Sequence, residues 1–233
     1  LLRAQAQLSA ADIEQLPQQP ECMLVALELA QLQQRDFARL FVRACELGHA
    51  TVVSAMLLTL NCDSKMLNEG LTLTHRACIA TQLVRAGAKS TGFDAKNVDS
   101  VLHRVAACAQ LDPAVDELAE LLKVNIDATN RANETPLMVA LRAAKTSASE
   151  RRHPDEQKAF VRTVAAFLRA GARAPADALL TAPDALFTTL VLSGCSPDEV
   201  LQGKSLLLHA LEADSKENRV DRALLLIAAG ADL

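Results

Sequence analysis

A short apolar run that ends in a turn recurs along the 233 residues. It reads MLLTLNCD at 56–63, QLVRAGAK at 82–89, ELLKVNID at 120–127, AFLRAGAR at 166–173, TLVLSGCS at 189–196 and LLIAAGAD at 225–232. With Asn61, Gly87, Lys123, Gly171, Gly194 and Gly230 as equivalent turn positions, the separations are 26, 36, 48, 23 and 36 residues, a mean of about 34. Self-similarity at such a period means small units that cannot bury their apolar faces alone and stack on one another to do so. The scatter around the mean marks deletions and one insertion.

The residues that fill these units are mainly Ala, Leu and Val. Half of the chain is apolar, only 3% is aromatic, and Trp and Tyr are absent. Small and γ-branched side chains suit close helix packing, whereas sheets favour aromatic and β-branched ones. The composition therefore points to an all-α fold. A net charge of −4 argues against a general nucleic-acid or membrane surface. Every apolar stretch is broken by charge well short of the roughly 20 residues that span a bilayer. No basic start, apolar run and small-residue cleavage site mark a secretory signal. Six cysteines, Cys22, Cys45, Cys62, Cys78, Cys108 and Cys195, are scattered without a CxxC pair. Most sit in apolar helical runs, which predicts buried, reduced thiols in the cytoplasm or another reducing intracellular compartment.

A second element lies between the turns: EGLTLTHRAC at 69–78, DSVLHRVAA at 99–107, NETPLMVAL at 133–141 and GKSLLLHAL at 203–211. It resembles the ankyrin-repeat signature G-x-T-P-L-H-x-A. Thr135, Pro136, Leu137 and Ala140 carry the likeness in one unit, with Met138 at the His position. Gly70, Thr72, His75 and Ala77 carry it in another, with Leu73 replacing Pro, and Leu102, His103 and Ala106 in a third. GHATVVSAMLL at 48–58 is similar to the family's G-H-x-x-V-V-x-x-L-L between helices. Thr or Ser caps a first helix and Pro fits its first turn, where its missing N–H costs nothing. Gly in the AGA turn accepts positive φ where the second helix ends.

The resemblance covers about 36–233. It implies an ankyrin-type helical-hairpin solenoid of about six degenerate repeats with an N-terminal helical cap. The domain reading is 1–35 for capping helices and 36–233 for the repeat array. Within the cap, Ser9 and Asp12 open a helix that Pro17 ends, and 21–34 forms the next. Asp36 is expected to cap a helix with Phe37, Leu40, Phe41 and Ala44 inward, stopped by Gly48. The polar, Pro-bearing stretch 145–157 reads as an insertion, an exposed loop or short extra helix.

No catalytic site, metal site or cofactor is expected. His75 and Cys78 lie three apart on one predicted helix with Cys62 upstream, but zinc needs a second ligand pair, and His103 with Cys108 has none either. His49 matches the family's inter-helix G-H. In GKS at 203–205, a phosphate loop needs a glycine where Asp198 stands, so Gly203 and Ser205 read as turn and helix cap. Cys195 lies in an AGA-type turn with no His assigned beside it, and no strained nucleophile turn is present.

Recognition of another protein is the function the resemblance implies. Arg43, Arg76 and Arg104 fall at one repeat position, a ladder that either pairs with acids such as Glu46 and Glu69 or forms a basic strip for an acidic partner segment. By the family's use of hairpin tips and the inner side of the first helix, the contact residues are Asn68, Glu69 and Leu71; Lys96, Asn97 and Asp99; Arg131, Glu134 and Arg142; and Lys204. Phe93 is a packing residue or a binding anchor. Two rival readings share the sequence. In one, the chain is the targeting part of a larger enzyme or of a secreted bacterial effector delivered into a host cell. In the other, Glu150, Arg151, Arg152, His153 and Asp155 converge in a catalytic cleft.

Overall fold

A computed structural model describes residues 34–59, 62–89, 99–108, 111–149, 154–175, 178–193, 196–198, 200–201, 203–212 and 216–231. The expected capping helices of 1–35 fall outside this set, save for residues 34 and 35. Among the described residues, helices follow one another in six pairs. They are α1 Gln34–Leu47 and α2 Ala50–Thr59; α3 Ser64–Leu73 and α4 Ala77–Arg85; α5 Val101–Cys108 and α6 Val115–Leu121; α7 Pro136–Ser149 and α8 Pro154–Arg169; α9 Ala178–Thr181 and α10 Asp184–Leu192; α11 Leu206–Glu212 and α12 Lys216–Ala228. The only strand pairing among them is a two-residue ladder, β1 Val200–Leu201 with β2 Lys204–Ser205, antiparallel with Val200 opposite Ser205. No described helix is long and apolar enough to cross a membrane. The chain divides into two compact units between Val101 and Leu102.

In the first unit, Phe37, Leu40, Phe41, Ala44 and Cys45 recur at helical spacing along α1 and are all buried. Asp36 lies inside this helix rather than capping it. Gly48, at φ +78°, ends α1, where the His49 N–H donates to Ala44 O at 3.0 Å. Asp63 then caps α3 by accepting from the Met66 N–H at 2.7 Å. Met66, Leu67, Gly70 and Leu71 form the buried side of α3. The helices touch in a fixed pattern: α1 with α2, α3 with α4, α1 with α3 and α2 with α4. Gly70 sits at the α1–α3 contact, where a Cβ would stand 2.9 Å from Cys45 Sγ and 3.1 Å from Phe41 Cε1.

Helix α3 corrects the sequence reading of this region. Residues 68–71 are not a hairpin tip and 69–78 does not open a first helix; the stretch ends one helix and begins the next. The Asp63 cap and the apolar stripe behind it override a motif match that rested on spacing alone.

In the second unit the same contacts recur. α7 packs on α8, α9 on α10 and α11 on α12, while α6, α8, α10 and α12 touch in succession, as do α7, α9 and α11. Thr135 caps α7 by accepting from the Met138 N–H at 3.3 Å, and Ser205 caps α11 by accepting from the Leu208 N–H at 3.2 Å. The stretch 145–157 is not a loop insertion across its described part: 145–149 prolongs α7 and 154–157 begins α8, with Pro154 at a first-turn position that tolerates it. Residues 150–153 lie outside the described set.

Three second helices end in one turn. Gly87, Gly171 and Gly230 have φ of +101°, +97° and +97°. Their N–H groups donate to Val84, Leu168 and Ile227 O, each at 3.0 Å. The following Ala88, Ala172 and Ala231 N–H groups donate to Leu83, Phe167 and Leu226 O at 2.9, 2.9 and 3.0 Å. This is a Schellman cap, and each of the residues accepting the longer bond is fully buried. Lys123 does not share the turn. Lacking glycine, α6 unwinds through a 3₁₀ segment, Lys123–Asn125, that leads to buried Ile126. Asn61 and Gly194 lie outside the described residues.

Gly70→Ala is expected to destabilise the protein by about 1–3 kcal/mol through overpacking, although Ala is the better helix former. Gly171→Ala meets no neighbour within 4 Å, so its expected cost of about 1–2 kcal/mol comes from left-handed backbone alone. Urea unfolding of both variants checks this; a neutral Gly70→Ala contradicts the close α1–α3 approach.

Candidate functional site

The sequence-derived contact residues gather best at the turn that leads into α7. Asn130 organises it. Its Oδ1 accepts from the Ala132 and Glu134 N–H groups at 2.9 and 3.0 Å, and its own N–H donates to Glu134 O at 3.0 Å. Asn133 takes φ +62°, a conformation Asn tolerates better than most residues. His103 on α5, 1% exposed, sits with Nε2 2.9 Å from the same Glu134 carbonyl. A carbonyl only accepts, so this contact places the proton on Nε2. The turn is thereby tied to the preceding helix pair.

On this base, Arg142 of α7 grips the Glu134 carboxylate with two bonds, Nε to Oε1 and Nη2 to Oε2, each 2.9 Å. Such a fork fixes both side chains. Arg131 is exposed at the turn and forms no ion pair among the described residues. Among the described residues the result is one neutralised pair and one exposed cation on a turn held by hydrogen bonds.

Lys204 lies on the β1–β2 hairpin and donates to Glu212 Oε2 at 2.6 Å, a hydrogen bond that holds the Glu212 carboxyl below its usual range. Gly203 takes φ +79° and Ser205 caps α11, so GKS serves as turn and cap here. His209 Nε2 approaches Leu201 O at 2.9 Å and braces this hairpin.

The remaining expected residues divide. Arg43 pairs with Glu46 at 2.7 Å on exposed surface. Asn68 Oδ1 accepts from the Lys89 N–H at 2.7 Å, which joins α3 to the turn after α4. Glu69 is exposed on α3, and Asp99 is half-buried just before α5. Leu71 is 1% exposed and belongs to the core, not to a contact surface, because it lies on the α3 stripe that packs inward. Lys96, Asn97 and Phe93 lie outside the described residues, as do Glu150, Arg151, Arg152 and His153, while Asp155 pairs with Lys158 at 3.3 Å.

The arginine ladder does not survive as one repeat position. Arg43 is inside α1, Arg76 is in the linker before α4, and Arg104 is inside α5. The Arg76 stem lies against Gly48, where a Cβ would be 3.2 Å from its Cγ and Cδ, and its Nε is buried without a hydrogen bond, as is His49 Nε2. His75 shares that linker, so it and Cys78 are not on one helix. Among the described residues no group of three or more His, Cys, Asp and Glu side chains is placed to hold a metal ion.

Two contacts escaped the sequence reading. Asp116 on α6 receives both Arg162, at 3.4 Å, and Arg169 from α8. Arg222 on α12 donates to Ala182 O at 2.8 Å and lies over the Phe187 ring, 4.7 Å from its centre. The seven-residue spacing of Arg162 and Arg169, which sets both on one helix side, is the signal that points to the first.

Of the described cysteines, Cys45 is fully buried, Cys62 and Cys78 are half-buried and Cys108 is exposed. Burial pushes the Cys45 thiol up to about 12, with Cys62 adding to the shift. Burial also raises Cys62, aided by Asp63, and raises Cys108 against the opposing charge of Arg104.

No protein-family model matches this chain, and it matches no curated protein.

His103→Leu removes the donor to Glu134 O, and unfolding experiments are expected to show a loss of about 1–3 kcal/mol; an unchanged midpoint contradicts the tie. The raised Cys45 thiol fixes a pH dependence. Its folded value of about 12 exceeds the ordinary value of 9.0. Its stabilising contribution is therefore complete below the lower value and is lost as pH climbs toward the upper one. Urea midpoints are expected to fall across that window, and to fall less in Cys45→Ala.

Proposed function

We propose that this chain is an ankyrin-type repeat module that works by binding another protein, and that the turn before α7 receives an acidic segment of that partner. The observation that carries the reading is the fixed turn at 130–134, which leaves Arg131 exposed beside the bidentate Arg142–Glu134 pair. A loop held by Asn130 and His103 loses little freedom on binding, so contacts made there convert efficiently into affinity. Charge in this position acts chiefly on encounter rate and partner choice, and is screened by salt.

Three features support the repeat reading. Within each unit helix pairs contact their successors through corresponding helices, three second helices end in the same glycine cap, and His103 bridges from one pair to the backbone of the next. Recognition is the whole mechanism on this account, with the helices acting as a scaffold for loop side chains.

A fluorescein-labelled peptide rich in Asp and Glu serves as the probe. Arg131→Glu combined with Arg142→Gln is expected to weaken its binding about tenfold at low salt. Melting is expected to change little, because an exposed ion pair contributes only about 0–1 kcal/mol. Unchanged affinity in the variant removes this turn as the site, and absence of binding to the unmodified protein removes the acidic partner.

A further inference from the structure

Buried polar atoms in a folded chain are nearly always hydrogen-bonded, so each exception asks for a partner. Among the described residues three buried side-chain polar atoms have none: His49 Nε2, Arg76 Nε and Thr81 Oγ1. The first two belong to one joint of the first unit, where the turn between α1 and α2 meets the linker between α3 and α4. Gly48 marks the place. A Cβ added there would stand 3.2 Å from Cγ and Cδ of Arg76 and 3.9 Å from His75 Nε2. The glycine leaves room for an arginine stem and an imidazole, and His49 is the next residue along.

Both groups are held from behind. The His49 N–H donates to Ala44 O, and its carbonyl accepts from the Val53 N–H, each at 3.0 Å. The Arg76 N–H donates to Thr74 Oγ1 at 3.3 Å, and its carbonyl accepts from the Ala80 N–H at 3.0 Å. These bonds fix both backbones, so the two side chains start from set positions. The Arg76 guanidinium forms no ion pair among the described residues. Glu46, two residues before Gly48, is committed to Arg43 at 2.7 Å. Arg76 is also the N-cap residue of α4 and makes no side-chain cap bond, so the positive end of that helix adds to its charge. His49, His75 and Arg76 are each half-buried as residues. The joint is thus open on one side while its inner nitrogens are shielded.

We infer that Arg76 and His49 form a binding site for a tetrahedral oxyanion, inorganic phosphate or a phosphate monoester. Arginine only donates, and imidazole Nε2 donates in one of its tautomers, so one acceptor satisfies both. A neutral water meets the hydrogen bonds but leaves the guanidinium charge without compensation. An oxyanion supplies the acceptor and the opposite charge together. A carboxylate spends its two oxygens on the guanidinium fork in one plane. Phosphate keeps further oxygens outside that plane for the imidazole. His75 flanks the same joint across Gly48. The site lies within the first unit and shares no residue with the turn before α7, so the two readings stand or fall separately.

Inorganic phosphate is titrated into the 233-residue chain at fixed pH and ionic strength, and the imidazole proton resonances are followed by NMR. The His49 and His75 signals, assigned through His49→Gln and His75→Gln, are expected to move saturably with a dissociation constant of about 1 mM or below. Those of His103 and His209 are expected to stay in place, and chloride is expected to move none of the four. Acetate is expected to bind about tenfold more weakly than phosphate, for want of the extra oxygens. Phenyl phosphate distinguishes the sources: saturation by it as well as by phosphate supports a monoester, and saturation by phosphate alone supports the free ion. Arg76→Gln is expected to weaken phosphate binding by about tenfold or more. If that variant does not fold, Arg76→Lys, which keeps the charge and loses the fork, is expected to weaken it about threefold. Shifts that do not saturate, acetate binding as tightly as phosphate, or unchanged affinity in the arginine variants overturns the inference.

Discussion

A helix that stops needs partners for its last carbonyls, and this chain supplies them the same way at Gly87, Gly171 and Gly230. Positive φ at glycine turns the backbone so that the next Ala N–H bonds five residues back, to the carbonyl of a fully buried Leu or Phe. The cap therefore links the exit of each helix to the residue that anchors it in the core. Gly48 does the same for α1, with the His49 N–H bonded to Ala44 O. Chain direction after each of these four helices follows from this one bond pattern.

Close approach and shared side chains add to these caps. Gly70 lets α3 lie against Phe41 and Cys45 of α1. In the second unit, Asp116 holds two arginines of α8, and Arg222 ties α12 to the end of α9 and to α10. The ion pairs lie largely in solvent and contribute little stability by themselves. They fix orientation, while burial of Leu, Val, Phe and Ala supplies most of the favourable free energy. His103 does both, being buried and bonded to a turn it does not belong to.

Much of the helical architecture was legible. The AGA turns and the Thr135 and Ser205 caps are local signals, since each depends on a few adjacent residues and a known backbone requirement. Their common spacing identified paired helices. Where the reading failed, a spacing match competed with packing. THRAC at 74–78 keeps the right residue types but lies across the start of α4, because Asp63 and the Met66–Leu71 stripe had already committed 64–73 to helix. Arg76 moved out of its supposed row and Leu71 into the core for the same reason. By its polarity and Pro the 145–157 stretch read as an exposed loop or short extra helix, whereas Lys145 and Thr146 extend α7 as an exposed helix surface. At the candidate site, Arg131, Glu134 and Arg142 could be named from the repeat pattern. Their union through Asn130 and His103 could not, since it depends on a side chain 31 residues away.

Hydrogen exchange at the Ala88, Ala172 and Ala231 amides tests the shared cap most directly. Each amide closes a cap onto a buried residue, so each should exchange more than about 100-fold slower than an unstructured chain and open only with its helix pair. Exchange within about tenfold of the unstructured rate at these three positions contradicts the account, because the turns would then be loose ends rather than the joints that set the packing.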